Sequence, residues 1–350
     1  MKEWHKNLLL MLFVFLVLAL LLELAGRVFI DPVSRVNYTS IPRSIIMKPE
    51  YPGIPYQLRP NGVGKQDFGS NPDGYFDDDS TLTYRINSLG FRGADTTLEK
   101  PENTVRIVVI GDSFTFGSGV RNEHIFPAAM QAYFTGNGVG QGVEVLNLGA
   151  GRYNTVNEVS LLFHEGVRFD PDIVVICFFL NDANAGGTAK AFSAWMPEDQ
   201  LPFWRRYSRL ADIMATRFER QRALETLVEN YIDSFRENAP GWIQSKKAMA
   251  SAWKLSDKRG FKLVLAIYPV LWSLSDDYPF ASIHETISGY ADGLGIPVLD
   301  LQPLFTGYDG PELWAHPNNQ HPNAEAQRIA GNALSEYLLS LYPELLNPSP

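Results

Sequence analysis

Four short segments, far apart in the chain, carry the residue types that acyl transfer requires. The apolar run "IVVI" stops at Gly111-Asp112-Ser113, and "VEVLN" runs into Leu148-Gly149-Ala150-Gly151-Arg152. "PDIVVICFF" ends at Leu180-Asn181-Asp182, and His321 stands in "NNQHPNAEAQRIA" ahead of the last helical pattern. A serine hydroxyl attacks a carbonyl only when a base takes its proton and donors hold the resulting oxyanion. Ser113 is therefore the candidate nucleophile, His321 the candidate base and Asn181 a candidate side-chain donor. Alone, each segment has a plainer reading. Gly-Asp-Ser suits a tight turn, Asn181-Asp182 suits a helix cap, and His321 precedes a helix started by Pro322. Their joint placement after apolar runs favours chemistry. A second "HPN" at 316–318 lacks a helical pattern immediately after it, so His316 is set aside as a decoy.

The elements that must position these residues are legible from residue 105 onward. Short apolar runs at "VRIVVIG", "VEVLNLG", "PDIVVICFF", "FKLVLAIYP" and "IPVLDLQ" alternate with helical stretches. Strands buried on both faces and separated by helices predict an α/β fold, a three-layer, doubly wound, parallel five-stranded sheet. Such sheets place ligands at the carboxyl ends of their strands, where the four segments converge. Between the third and fourth strands an insertion spans about residues 183–260. Its first part carries Trp195, Met196, Phe203 and Trp204, which read as a lid over the serine, as sugar-stacking rings or as packing against the sheet.

At the N-terminus, Leu8 to Leu22 is an unbroken run of fifteen apolar residues, extended past Glu23 by Leu24–Gly26 and Val28–Ile30, which brings it near bilayer-spanning length. Lys2 and Lys6 precede it, so the positive-inside tendency predicts a cytoplasmic N-terminus and an exported body. An uncleaved anchor is favoured over a cleaved signal peptide because no clear Ala-x-Ala site follows. Residues 1–30 thus read as cytoplasmic tip and transmembrane anchor, 31–100 as a membrane-proximal stalk and irregular, strand-containing lead-in in which "YRINSLGFRG" is an edge strand or a lining segment, and 101–345 as the catalytic domain. The net charge of −9 gives no electrostatic reason to expect nucleic acid as a partner. The single cysteine, Cys177, excludes an internal disulfide and paired-cysteine metal sites. No phosphate-loop spacing surrounds Gly111, Gly117 and Gly119, and no His/Asp/Glu cluster has metal-ligand spacing, so no cofactor and no metal are expected.

The blocks "GDSFTFGSG", "LND" and "HPN", in this order and on strand ends, resemble the SGNH hydrolases, also called GDSL esterases, over roughly residues 105–340. The stretch "NSLGFRG" ahead of the first block is similar to membrane-anchored bacterial members. The resemblance implies a flavodoxin-like fold, Ser113 as nucleophile and His321 as base. It also implies an oxyanion hole from the N–H of Ser113, a backbone N–H at Gly151 or Arg152, and the amide of Asn181. Two positions depart from the family pattern. Arg152 stands where a glycine is usual, so any positive φ falls to Gly151 through a shifted turn, or else the Arg152 side chain binds an anionic group. Asn318 and Asn319 stand where an aspartate usually orients the histidine, leaving a Ser-His dyad in which an asparagine, a backbone carbonyl or a carboxylate such as Asp309 or Glu312 assists. Phe179 also replaces a glycine often found before the asparagine block. The expected function is a serine esterase or deacylase acting on an acylated small molecule, glycan or lipid of the cell envelope. Polysaccharide O-acyl transfer by the same serine and a degraded glycan-binding scaffold are the alternatives.

Overall fold

The computed structural model describes residues 3–29, 41–136, 142–183, 201–272, 274, 275 and 277–346, without the side chains of residues 220, 221, 223 and 224. It divides into two compact units, Asn37–Gly187 with Asn230–Pro350, and Met1–Val36 with Thr188–Glu229. The segment 31–40, assigned to the stalk, and Trp195 and Met196, assigned to the lid, lie outside the described residues.

The first unit is built on a parallel sheet of five strands: β5 Val105–Gly111, β6 Val143–Asn147, β7 Ile173–Phe178, β8 Lys262–Ile267 and β9 Val298–Asp300. Their spatial order is β6-β5-β7-β8-β9. The chain leaves β5 toward one edge and then returns across it to β7, so the sheet's switch point lies at the ends of β5 and β7. Ile107 to Ile110 and Ile173 to Phe178 have no more than trace exposure, which is why both strands read as continuous apolar runs. Helices cover the faces: α2 Ser113–Phe116, α3 Phe126–Gly136, α4 Thr155–His164, α7 Pro240–Arg259, α8 Ala281–Gly293, α9 Ala324–Leu341 and α10 Pro343–Leu346. A small antiparallel pair, β10 Trp314–His316 and β11 Asn319–Pro322, carries the histidines of both "HPN" sequences.

Residues 41–100 contain short strands. They form two antiparallel pairs, β1 Ile46–Met47 with β2 Gln57–Leu58, and β3 Val63–Asp67 with β4 Thr81–Arg85. The burial of β3 and β4 alternates with period two, so one face is free to close a core. That core joins Ile45, Leu58, Phe68, Phe76, Leu82, Tyr84 and Ile86 to Phe116 of α2, directly beyond Ser113. Sequence patterning anticipated strands here but not their bounds, their pairing or this core, because the strands are short and interrupted by Gly, Asn and Asp.

The second unit contains α1 Glu3–Phe29, α5 Phe203–Tyr207 and most of α6 Arg209–Ser234. Helix α1 is long and apolar enough to cross a membrane or to serve as a signal sequence. Within α5 and α6, the buried Arg205 guanidinium binds Asp212 at 2.9 Å, Thr216 at 3.1 Å and Glu219 at 2.6 Å, which staples the two helices together.

Candidate active site

Strand β5 ends at Gly111, and the chain turns at once into α2, so Ser113 is the first residue of a one-turn helix at the switch point. Asp112 caps that helix by accepting the Phe114 N–H at 2.8 Å. The turn is tight because Gly149, after β6, lies against it: a Cβ there would stand 2.4 Å from the Phe116 nitrogen. Arg92, fully buried, secures the far end of α2 by donating to the carbonyls of Phe116 (2.7 Å), Gly117 and Val120 and to Asn122 Oδ1 (2.9 Å). Its guanidinium lies over the rings of Tyr84 and Phe116. The stretch "NSLGFRG" is the turn that delivers it. Asn87 Oδ1 accepts the N–H groups of Leu89 and Phe91, and Gly90 takes φ +87°. Gln327 of α9 adds a further brace, donating to the Phe114 carbonyl and accepting from the Phe126 N–H.

His321 Nε2 lies 2.9 Å from Ser113 Oγ. On the other side of the ring, Asn319 Oδ1 is 2.5 Å from Nδ1 and also accepts the His321 backbone N–H at 3.1 Å. That second bond fixes the amide orientation, since only the oxygen of an asparagine can accept from an N–H. Nδ1 therefore carries the ring proton, and Nε2 presents a lone pair to the serine. Of the two asparagines in doubt, Asn319 orients the ring. Asn318 instead donates its backbone N–H to His316 Nδ1 at 3.2 Å. Among the described residues no carboxylate, Asp309 and Glu312 included, is hydrogen-bonded to the His321 ring. Burial, with no neighbouring negative charge to offset it, pushes the His321 pKa down to about 4.

The predicted shift of a positive φ to Gly151 does not occur. Arg152 itself takes φ +66°, while Gly151 has no positive φ. The turn keeps the left-handed geometry at the position where the family has glycine, and an arginine tolerates the strain. Gly151 is held by Tyr56, whose hydroxyl donates to its carbonyl at 2.7 Å. A Cβ on Gly151 would lie 3.7 Å from that of Ser113, which brings this loop alongside the serine. Among the described residues, no hydrogen bond uses the N–H of Gly151 or Arg152. Asn181 lies in the short helical turn after β7, and its amide donates to Asp112 Oδ2 at 3.0 Å, which leaves its second N–H free of that bond. Phe179, in place of the usual glycine, stacks on Phe114 with ring centroids 4.0 Å apart.

Beneath the serine three carboxyls are enclosed: Asp112, Glu158 of α4 and Asp182. Burial, against the hydrogen bonds from Phe114 and Asn181, pushes the Asp112 pKa up to about 6. Burial and then the neighbouring acids raise Glu158 and Asp182 well above the usual carboxyl range. Cys177, also fully buried in β7, is raised by the same desolvation.

Sequence comparison assigns residues 109–329, well over half of the chain, to a single family model. The chain belongs to the GDSL-like lipase/acylhydrolase family. No curated protein sequence matches it significantly. Among solved structures it is similar to a lipase/acylhydrolase from Enterococcus faecalis, at 16% identity and TM-score 0.44, covering 71% of this chain and 100% of the other. The psychrotrophic esterase EstA from Pseudoalteromonas sp. aligns at 12% identity and TM-score 0.42, covering 68% and 98%. A two-domain esterase active on acetylated mannans aligns at 13% identity and TM-score 0.43, covering 71% and 52%. In this GDSL family member the sequence blocks bring Ser113, Asn181 and His321 to one sheet edge. Asp112, Tyr56, Arg92 and Gln327 escaped sequence reasoning. Only Arg92 left a signal, as the sole long cation in a glycine-rich turn, and nothing in the sequence says what that turn meets.

Proposed function

We propose that the protein is an ester hydrolase in which Ser113 is the nucleophile and His321 the general base. The observation that carries this reading is the His321 tautomer, with a bare Nε2 at 2.9 Å from Ser113 Oγ. His321 takes the serine proton as Oγ attacks the ester carbonyl. The oxyanion gathers donors from the Ser113 N–H, the Gly151–Arg152 turn and the second N–H of Asn181. The tetrahedral intermediate collapses, and the departing alcohol takes the proton from His321. Water then attacks the acyl-serine, giving its proton to Nε2, and the acid is released with Ser113 restored. Asn319 holds the ring through both steps but contributes no charge, so the transient imidazolium is stabilised less than it would be by an aspartate.

Helix α1 supports an anchored protein with the catalytic unit outside the cytoplasmic membrane, and hence acyl esters of envelope glycans or lipids as substrates. The test is incubation of the full chain with 4-nitrophenyl acetate and with a fluorophosphonate probe. Turnover and labelling that both disappear in Ser113→Ala are expected. A folded wild-type protein that neither labels nor turns over ester, supplied with acyl donor and sugar acceptor or without, would overturn the reading.

A further inference from the structure

The exposed apolar side chains of the α5–α6 corner have no place in the chemistry above. Phe203, Trp204 and Tyr207 of α5 are 75%, 45% and 76% exposed, and Met214 and Phe218 of α6 are 64% and 61% exposed. On α6 they follow one line. The inner face of the corner is the Arg205–Asp212–Thr216–Glu219 network, and Met214 and Phe218 each lie two residues beyond a member of it, on the opposite side of the helix. Leu210, Met214 and Phe218 follow one another at intervals of four along that outer side. Exposed Arg222 continues that line at the next interval of four, with its guanidinium over the Phe218 ring at 5.3 Å, and exposed Arg217 lies beside it.

The partner of this face is indicated by what the corner is fastened to. Glu23 of α1 accepts from the backbone N–H of Arg209 at 2.7 Å, that of Leu210 at 3.0 Å and the Ser208 hydroxyl at 2.9 Å. Arg27 completes the joint by donating to the Tyr207 carbonyl at 2.6 Å, and Gly26 is the one buried residue of α1, with Arg209 Cγ 3.4 Å from where its Cβ would be. The apolar surface of α1 does not stop at this joint. Leu24, Val28 and Phe29 continue beyond Glu23 and are 59%, 65% and 84% exposed. At 1.5 Å of rise per residue, Phe29 lies roughly 9 Å further along the axis than Glu23. When α1 spans a bilayer, the corner is held level with apolar residues still immersed in it, at the depth where aromatic rings and arginines partition.

We infer that the α5–α6 corner is a lipid-facing surface, seated in the bilayer interface beside the exit of α1, with Phe203, Trp204, Tyr207, Met214 and Phe218 among the acyl chains and Arg217 and Arg222 at the phosphates. This inference rests on the anchored reading of α1. The full chain is reconstituted into phosphatidylcholine–phosphatidylglycerol vesicles with an environment-sensitive fluorophore on Leu16→Cys, Trp204→Cys or Phe218→Cys. The native Cys177 is buried and does not compete for label. Blue-shifted emission at all three positions, lost when nitroxide-labelled lipid is included, is expected. Lipid contact at Leu16 with water-like, unquenched emission at Trp204 and Phe218 would overturn the surface and leave the anchor standing. Water-like emission at all three would overturn both. A melting temperature matched to wild type qualifies each labelled variant.

Discussion

Two serine–histidine pairs with the same 2.9 Å separation lie in this chain, Ser113 with His321 and Ser70 with His316. Both histidines open an "HPN" sequence, and both belong to the same small antiparallel pair, β10 and β11. They differ in what meets Nδ1. In His321 it meets the Asn319 oxygen and must donate, so Nε2 is a base. In His316 it accepts the Asn318 N–H, so the proton sits on Nε2 and the ring donates to Ser70 Oγ. The same two residue types at the same distance present a free lone pair to the serine in one place and a ring N–H in the other, and only the first suits the proposed nucleophile. A short Ser–His distance therefore says little about catalysis until the far nitrogen is accounted for.

The comparison breaks most sharply at the two serines. Ser113→Ala should lower ester turnover by about 10⁴-fold or more, whereas Ser70→Ala, on an exposed residue, should leave it within about twofold. Steady-state hydrolysis of 4-nitrophenyl acetate reads both, and equal losses would erase the distinction. Next comes the acceptor that sets the tautomer. In Asn319→Ala nothing holds Nδ1–H in place, and kcat should fall by about 100-fold with KM little changed, the scale of a lost general base.

Charge at the same position sharpens the contrast further. With its pKa at about 4, His321 is neutral above that pH, so the wild-type kcat/KM should hold from neutrality down to about pH 4 and fall below it. A carboxylate in Asn319→Asp favours the imidazolium, so the acid limb should move up by roughly 1–3 pH units. The same charge steadies the transition state, and kcat at pH 8 should rise about tenfold. An unmoved acid limb would show that His321 is not the titrating base.

Smaller effects concern what lies beneath the Ser113 pair. Carboxyls whose folded pKa is raised, as in Glu158 and Asp182, add stability below the unfolded value of about 4.5 and lose it as pH rises through the folded value. Glu158→Gln should therefore raise the melting temperature at pH 8, with little change at pH 4. Thermal melts across that range check the sign, and a loss at pH 8 would contradict it. Last, Arg152→Gly relieves a left-handed residue and should add about 0.5–1 kcal/mol of stability by urea denaturation.

The sheet was legible because β5, β7 and β8 are buried on both faces and their sequences record it as unbroken apolar runs. That Ser113, Asn181 and His321 would lie together was legible because strand ends at a switch point converge whatever the loops do. The amide rotation of Asn319 was not legible, since it is set by a backbone N–H two residues on. Nor was the conformation of Arg152: glycine would have announced a positive φ, and arginine conceals it. The pairing and core of the strand-containing lead-in were hidden for a related reason, because strands of two to five residues carry too few alternations to fix bounds or partners. The joint between Glu23 and Ser208–Leu210 links positions some 185 residues apart, and no local pattern announces such a contact.

The Arg92 guanidinium bears on how this domain can be cut and moved. The matched family region begins at residue 109, after Arg92 and every strand of the lead-in lobe. Excised at that boundary, the turn behind Ser113 would lose the donor to its Phe116 and Val120 carbonyls, and Phe116 would lose the lobe that encloses it. The region that the family model matches and the chain that packs behind the serine thus have different borders here. A chimera that borrows this serine must also borrow the chain from about residue 41.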